Sequence, residues 1–407
     1  MLIGIDGSRA FLKQRTGIEE YSYQVIKHLR DKLNDSQARL ASTSGFRESR
    51  RVVLYIKHNQ KIDFELPQMW SVKKLWSPRL WTQIRLSLEL LLNPVDVLFI
   101  PAHTVPIIHP KNTIVTIHGL EYEFVPAAYS SWAIFYMRTI IKNSCRWAKK
   151  IIAVSNNTKK DLCELYEFSE EKIEVVYEGY EKKFKVQSSK FKVNTKYQIL
   201  NTKYLLFIGR LEERKNIVGI IKAFEILKEH YKIPHKLVLV GKFGYGEQKI
   251  IRELDRTNCA NDIILPGYVS EEEKWELFKS ADIFLFPTFY EGFGLPVLEA
   301  QSFGVPVVAG DNSSFPEITK INCHSGFDPE SSHISLNNSL DSRFRGNDSS
   351  ALLVNPNNAE QIADAVYKLI SDEKLKNDII KKGYENVKRF SWAKCADEVR
   401  RVILSGA

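Results

Sequence analysis

Residues 281–318 read ADIFLFPTFYEGFGLPVLEAQSFGVPVVAGDNSSFPEI, and the fold of the chain is decided there. Ile283 to Phe286 is an apolar run closed by Pro287, the pattern of a strand buried on both faces of a parallel sheet. A loop with Glu291, Gly292 and Gly294 follows, then Pro296, whose fixed φ suits a first helical turn. Val297 to Phe303 reads as that helix, Gly304 as its C-terminal cap and Val305 to Ala309 as the next strand. Strand, glycine loop and helix start mark the place where open α/β sheets bind ligands, beyond the carboxyl ends of their strands. Glycine at 292 and 294 lets backbone N–H groups approach an anion or hydroxyl near the positive end of a helix.

Two carboxylates frame the loop. Glu291 precedes the helix and Glu299 falls in its first turn, with seven residues between them. An ionised carboxylate accepts two donors at once, which suits the vicinal diols of a ribose or hexose. The plainer reading is that Glu299 complements the helix dipole, worth about 0.3–1 kcal/mol, while Glu291 is solvated. Set beside the glycines, the pair favours a binding role.

These residues resemble the E-x7-E signature of family-four retaining glycosyltransferases, also called glycosyl transferases group 1. The resemblance implies an α/β chain of GT-B type, two Rossmann-like doubly wound parallel-sheet domains facing each other across a cleft. It also implies that Glu291 and the amides of Gly292, Phe293, Gly294 and Leu295 address a donor sugar, and that Glu299 holds the nucleotide ribose.

Composition sets outer bounds. A chain of 407 residues that is 44% hydrophobic supports two or three domains with sizeable cores. A formal charge of +9 implies attraction to nucleotide diphosphates, an anionic membrane surface or nucleic acid. The basic residues are scattered, so no nucleic-acid stripe is evident. Five cysteines without a C-x-x-C pair speak against a disulfide framework. Met1 leads straight into the strand-like LIGID, no signal peptide is evident, and no apolar run reaches the roughly 20 residues that span a bilayer. A cytoplasmic protein is expected, with a peripheral place on the inner face of the plasma membrane as a candidate.

In the first half, Leu2 to Ile5 reads as a strand and Thr16-Gly17-Ile18-Glu19 as a capping box opening a helix. By resemblance, TGIEEY is the glycine loop near the donor phosphates, with Gly17 lining the site. Residues 31–50 read as a polar loop and Val52 to Ile56 as a strand. Trp70, Trp76 and Trp81 precede an apolar helix, Ile84 to Leu92, whose weak amphipathicity favours packing over contact with lipid. Val97 to Ile100 and Ile114 to Ile117 are further strands, the second ending in His118-Gly119-Leu120. A lone histidine there is commonly a loop hydrogen-bonder; the resemblance makes His118 a catalytic residue facing the donor sugar. Many family members read His-Asp-Leu, so Gly119 departs from them.

Trp132 to Lys149 is a long helical stretch whose basic, aromatic face is a candidate contact for anionic lipid. After strand Ile151 to Val154, Ser155 and Asn156 resemble the family's A-V-S element at the cleft, with Ser155 donor-binding; an N-cap for the helix of Lys159 to Tyr166 is an equal alternative. The N-terminal, acceptor-side domain is expected over 1–185, a linker over 186–203, and the nucleotide-sugar domain over 204–390.

That second domain opens with Leu205 to Ile208 and Gly209-Arg210-Leu211-Glu212-Glu213-Arg214-Lys215-Asn216. Arg210 and Lys215, five residues apart at a helix start, suit a diphosphate, the first bidentate and the second a compact charge. The stretch matches the family's G-R-L-x-x-R-K-N pattern, which places Arg210 and Lys215 in catalysis and Gly209 at the donor. Gly241, Gly244 and Gly246 follow strand Lys236 to Val240 but miss the dinucleotide fingerprint, and no Walker A lysine motif exists. Pro266-Gly267-Tyr268-Val269 resembles the family's contact to the base, through Val269; a simple turn is the alternative.

After Ile318 the chain departs from the family until Ala351-Leu352-Leu353-Val354-Asn355-Pro356. The intervening Ser/Asn/Asp-rich stretch, within 320–350, resembles translated palindromic repeats that some bacterial genomes insert into genes, and a mobile surface excursion is expected. Cys323, His324 and His333 match no metal-site spacing. Glu360 to Ile370 and Asp378 to Ile403 are helical in pattern, and the resemblance sends 391–407 back onto the first domain.

The chain contains no D-x-D, the usual clamp for a metal on a nucleotide sugar. Diphosphate stabilisation by cations and backbone dipoles, with no metal and no cofactor, is therefore expected. Resemblance implies retention of configuration and, through overall likeness to bacterial O-antigen and lipopolysaccharide mannosyltransferases, transfer of a hexose, best mannose from GDP-mannose. The partners are then a nucleotide sugar and a glycan or lipid-linked acceptor, with an anionic membrane surface and without nucleic acid. Two alternatives stay open: a nucleotide-sugar epimerase of the same fold, or a non-catalytic nucleotide- or nucleic-acid-binding protein.

Overall fold

The computed structural model describes residues 1–33, 50–76, 80–181, 202–321 and 348–406. The chain divides into two compact units, one of Met1–Leu120, Ser131–Glu181 and Phe390–Ala407, the other of Glu121–Ser130 and Lys182–Arg389.

The first unit is a seven-stranded parallel sheet in the order β3-β2-β1-β4-β5-β6-β7. Its elements are β1 (Leu2–Asp6), α1 (Gly17–Lys32), β2 (Arg51–Lys57), β3 (Trp70–Leu75), a helical segment of Trp81–Leu86 continued by α2 (Ser87–Leu92), β4 (Val97–Ile100) and β5 (Asn112–Ile117). After the short α3 (Glu121–Phe124), which belongs to the other unit, come α4 (Ser131–Trp147), β6 (Lys150–Ala153), α5 (Asn156–Tyr166) and β7 (Ile173–Val175).

The second unit is a six-stranded parallel sheet in the order β10-β9-β8-β11-β12-β13. It runs β8 (Tyr204–Ile208), α6 (Ile217–Glu229), β9 (Lys236–Val240), α7 (Glu247–Arg256), β10 (Ile263–Gly267), α8 (Glu271–Ser280) and β11 (Ile283–Phe286). Then follow α9 (Leu295–Ser302), β12 (Val307–Gly310), α10 (Phe315–Thr319), β13 (Leu352–Val354), α11 (Ala359–Ser371) and α12 (Glu373–Val387). The last helix, α13 (Trp392–Ser405), lies against α1 in the first unit, with Trp392 edge-on to Tyr21 at 6.1 Å.

Both sheets share one topology: the chain starts at a central strand, winds outward, then reverses. β1 lies between β2 and β4, and β8 between β9 and β11, so each sheet has a switch point where successive crossovers go opposite ways. β4, β11 and β12 are buried along their whole length, as their unbroken apolar runs require. Each large apolar side chain so buried contributes about 1.5–3 kcal/mol, which makes these strands the thermodynamic spine.

Several elements differ from the sequence reading. β3 was not anticipated, because Ser71, Val72 and Lys74 are exposed on an edge strand, Lys73 is only part-buried, and the polar residues break the apolar signal. The single helical stretch expected to Ile403 is two helices, α12 and α13. Glu121–Ser130, expected in the first domain, joins the second unit instead. Phe124 stacks on Tyr290 at 4.9 Å and Glu121 lies in the field of Arg214, so aromatic and charge contacts override chain continuity.

The linker expected over 186–203 and the polar loop expected over 31–50 fall largely outside the described residues, as does most of the 320–350 insertion. Its two ends are described. Lys320 and Ser349 form an antiparallel bridge, Ile321 N–H donates to the Asp348 carbonyl at 2.8 Å, and Ser350 N–H donates to that of Thr319 at 2.8 Å.

Candidate active site

In the second unit Gly209, Arg210, Lys215 and Glu291 to Gly294 lie on loops at the switch point. The loop after β8 carries Gly209 to Asn216 and the loop after β11 carries Pro287 to Gly294; β8 and β11 are hydrogen-bonded neighbours. A third loop, after β9, zips along the first: Leu211 N–H donates to the Lys242 carbonyl at 2.9 Å and Gly244 N–H to that of Leu211 at 2.9 Å. Gly241 permits this approach, because a Cβ there would sit 1.8 Å from the Gly209 carbonyl oxygen. Asn216, in the left-handed region at φ 57°, fastens the first two loops together. Its Oδ1 accepts Gly219 N–H at 3.2 Å, capping α6, while its Nδ2 donates to the Pro287 and Pro356 carbonyls at 3.0 and 2.6 Å.

The charges meet on Glu291. Its Oε1 accepts Lys215 Nζ and, at 3.2 Å, Arg214 Nη1; all three side chains are only 11–16% exposed. Arg214 also donates to the Tyr290 carbonyl at 3.1 Å and to Glu212 Oε1 at 2.9 Å. Arg210 differs: its side chain is 66% exposed and its Nε lies 3.7 Å from Glu212 Oε2. Burial and the adjacent Arg214 guanidinium push Lys215 below the ordinary ammonium range, against the pull of Glu291. Burial alone would raise the Glu291 carboxyl; Lys215 and Arg214 outweigh it and hold the group low. Two buried cations thus share one carboxylate, and a third stands at the surface. The two buried cations are fixed in position by these bonds, the condition under which charged groups give strong electrostatic stabilisation.

The rest of the glycine loop is built on backbone. Ser314 Oγ donates to the Glu291 and Phe293 carbonyls at 3.1 and 2.6 Å, and Glu291 N–H donates to Ser313 Oγ at 3.2 Å. Gly294 adopts φ 106° before Leu295 opens α9; a Cβ there would meet Ile318 and Phe315, each at 3.0 Å. Because α9 begins at Leu295, Glu299 falls in its second turn, so it does not complement the helix terminus. It accepts Lys274 Nζ of α8 at 3.0 Å. Lys274 is raised: burial works against its charge, but Glu299 and Glu271 prevail. Val269 is half-buried just before Ser270, the N-cap of α8.

In the first unit, Thr16 N–H donates to Glu19 at 3.1 Å in the expected capping box, and Gly17 opens α1 with nothing within 4 Å of where a Cβ would stand. Ser155 is buried, and its Oγ accepts Thr158 N–H at 3.0 Å as the N-cap of α5. The capping alternative accounts for that hydroxyl. His118 is held at both ring nitrogens: Nε2 by the Pro101 carbonyl at 3.0 Å and Nδ1 by Glu178 at 3.1 Å. A carbonyl only accepts, so Nε2 carries a hydrogen, and the His118–Glu178 pair shares one further proton. His118 N–H donates to His103 Nε2 at 3.0 Å, and burial together with the His118 charge and Arg9 lowers His103 to about 3.

Residues 189–386 match the family described as glycosyl transferases group 1, and residues 15–183 match glycosyltransferase family 4. The chain belongs to this family of glycosyltransferases. Among relatives, O-antigen chain mannosyltransferase B of Escherichia coli is 26% identical over 71% of this chain and 69% of its own. O-antigen chain mannosyltransferase RfbU of Salmonella typhimurium is 24% identical over 75% of this chain and 81% of its own. Solved structures share the fold over whole chains. Sucrose-phosphate synthase from Thermosynechococcus elongatus superposes with a TM-score of 0.66 at 16% identity, covering 100% of both chains. WaaG, a glycosyltransferase involved in lipopolysaccharide biosynthesis, gives 0.63 at 13% identity over 99% of both. The fold is GT-B.

For this glycosyltransferase the structure adds four residues to those read from sequence: Arg214, Glu212, Lys274 and Glu178. Arg214 and Glu212 lie inside the quoted GRLEERKN stretch and were within reach of a charge-balance argument. Lys274 and Glu178 lie 25 and 60 residues from their partners, and nothing local points to them.

Proposed function

We propose that this glycosyltransferase moves a hexose, best mannose from GDP-mannose, from a nucleotide sugar to a glycan or lipid-linked acceptor in cell-surface polysaccharide biosynthesis. The second unit takes the donor and the first takes the acceptor. The observation that carries the reading is the Lys215–Glu291–Arg214 cluster with exposed Arg210, set on the loops that flank a switch point. Arg210 and Lys215 neutralise the departing diphosphate, the amides of Gly292 to Leu295 and the Glu291 carboxylate address the sugar, and Glu299 meets the ribose. Likeness to O-antigen mannosyltransferases supports the sugar.

In this reading the anomeric carbon–oxygen bond to phosphate breaks while the acceptor hydroxyl oxygen bonds the same face, retaining configuration. The hydroxyl proton passes to the departing phosphate oxygen, so no protein nucleophile is needed. Positive side chains supply the charge, with neither metal nor cofactor, and the protein works as a peripheral enzyme at an anionic membrane surface.

Calorimetry with GDP-mannose, UDP-glucose, GDP, UDP and ADP, followed by transfer assays resolved by NMR of the anomeric proton, tests this. Binding of a nucleotide diphosphate and an EDTA-insensitive, retained product are expected. At 100 times its Kd a bound donor stabilises the fold by about 2.7 kcal/mol, visible as a raised Tm. Flat calorimetry for all ligands on folded protein, an inverted product, or activity abolished by EDTA would sink it. A donor epimerised without acceptor would point to the epimerase reading instead.

A further inference from the structure

We propose that Arg214 is a positioning residue, the shared counter-ion of two carboxylates, which leaves Lys215 and Arg210 charged toward the donor diphosphate. The inference rests on the donor-site reading above and deepens it, and it uses the second unit alone. Arg210 and Glu212 flank Leu211 on an extended stretch, with Glu212 at φ −137° and ψ 160°. In extended backbone, alternate side chains share a side, and Leu211 is buried on the other. The short helical turn of Glu213–Lys215 then carries Arg214 and Lys215 inward, to 16% and 11% exposure.

The outcome is a row of alternating charge. Lys215 Nζ donates to Glu291 Oε1, and Arg214 Nη1 donates to the same oxygen at 3.2 Å. Arg214 Nη2 donates to Glu212 Oε1 at 2.9 Å, and Arg210 Nε lies 3.7 Å from Glu212 Oε2. Glu213, in the same turn, is turned to Lys249 at 2.5 Å instead. The two cations assigned to the diphosphate therefore stand at the ends of the row, and Arg214 in the middle touches both carboxylates. A guanidinium suits that place because its planar fork carries donors for two acceptors at once, whereas an ammonium is a point charge.

Charge balance gives the row its purpose. Three cations and two carboxylates leave one positive charge in excess. Without Arg214, Lys215 would answer Glu291 alone, Arg210 would answer Glu212, and the excess would vanish. Arg214 itself is spent inside the protein, since Nη1 also donates to the Tyr290 carbonyl at 3.1 Å. Burial works against its charge, but Glu291, Glu121, Glu212 and Tyr129 outweigh burial and raise the group above its ordinary range. Lys215 is lowered by burial and then by Arg214, so its ammonium gains when a further anion arrives. Of its three N–H donors, one goes to Glu291.

The test is calorimetry of GDP, UDP and inorganic pyrophosphate with the full chain, Arg214→Gln, Arg214→Lys, and Arg214→Gln combined with Glu212→Gln. Arg214→Gln should weaken the tightest of these ligands by about tenfold or more, because a positive charge leaves the site. Adding Glu212→Gln should recover about half of that loss on a logarithmic scale, because Arg210 is released. A residue that only propped up the loop would show a further loss in the double variant, not a recovery. Arg214→Lys keeps the charge without the fork and should fall between wild type and Arg214→Gln. Arg214→Gln leaves one cation for each carboxylate, so the fold is kept, checked by circular dichroism. Should it unfold, Arg214→Lys with and without Glu212→Gln carries the same comparison. Wild-type affinity in the folded Arg214 variant, or no recovery on adding Glu212→Gln, would overturn the proposal while the donor reading stands. Flat calorimetry for wild type would sink the donor reading and this proposal with it, so the wild-type titration tells the two failures apart.

Discussion

Replacing Glu291 by Gln probes the charge cluster most directly. At 3.2 Å and an effective dielectric near 20, the carboxylate and Arg214 attract by about 5 kcal/mol, and Lys215 adds a similar term. Desolvation cancels much of that, and removing one partner of a buried ion pair leaves a net loss of about 3–5 kcal/mol. Glu291→Gln strands two adjacent buried cations with Glu212 as their nearest carboxylate, so the loss at pH 7 should fall in that range. The pH dependence has a definite sign. The folded-state carboxyl is held below its ordinary value of 4.5, so its contribution is complete above that value and is lost as pH falls through the lower, folded-state value. Urea unfolding of both proteins from pH 7 down to pH 4 should show the gap widest at neutral pH and narrowing below 4.5. A variant within about 1 kcal/mol of wild type at pH 7, or a gap that stays constant as the pH falls, would refute the reasoning.

Three further outcomes are expected. Asp282 accepts His235 Nε2 at 2.7 Å and also Lys376; against the effect of burial these hold it at about 2 rather than 3.8, so Asp282→Asn should cost about 2 kcal/mol at pH 7 in urea unfolding, with the cost vanishing as pH falls from 3.8 toward 2. Gly294→Ala forces a side chain into φ 106° against Phe315 and Ile318 and should cost about 1–3 kcal/mol while weakening donor binding by calorimetry; a neutral effect on both would remove the strained loop from the site. Replacing 322–347 by Asn-Gly should leave Tm and transfer rate near wild type, because hydrogen bonds already close the flanking backbone at Ile321 and Asp348; a large loss of activity would show that the insertion takes part in function.

The sheet framework was readable because buried parallel strands have an unmistakable composition. IFLF at 283–286 and VLFI at 97–100 are bounded in the structure where their apolar runs begin and end. Gly304 was readable for a related reason: it lies just past the last apolar turn, and its N–H donates to the Gln301 carbonyl at 3.0 Å while Val305 N–H donates to that of Ala300 at 3.0 Å. What escaped was set by solvent rather than by period. β3, WSVKKL, sets serine and two lysines between its apolar ends at a sheet edge, and the apolar residues of the Trp81 to Leu92 segment divide between core and surface in a way that hydrophobicity alone cannot apportion.

The site was readable as a set of residues but not as a set of bonds. GRLEERKN supplied Lys215 and Arg210, and E-x7-E supplied Glu291 and Glu299, yet the two glutamates have separate duties. Starting α9 two residues earlier than Val297 moves Glu299 out of the helix-dipole region and toward Lys274. A shift of that size is ordinary for a helix boundary and changes the electrostatic role of the residue completely. Arg214 makes the same point from the other side. Next to Lys215 in sequence it was not singled out, and folding turns it inward to donate to Glu291, Glu212 and the Tyr290 carbonyl. Arg214 therefore fixes the carboxylate that Lys215 must share, while Arg210, with its Nε 3.7 Å from Glu212, is the most exposed of the three cations.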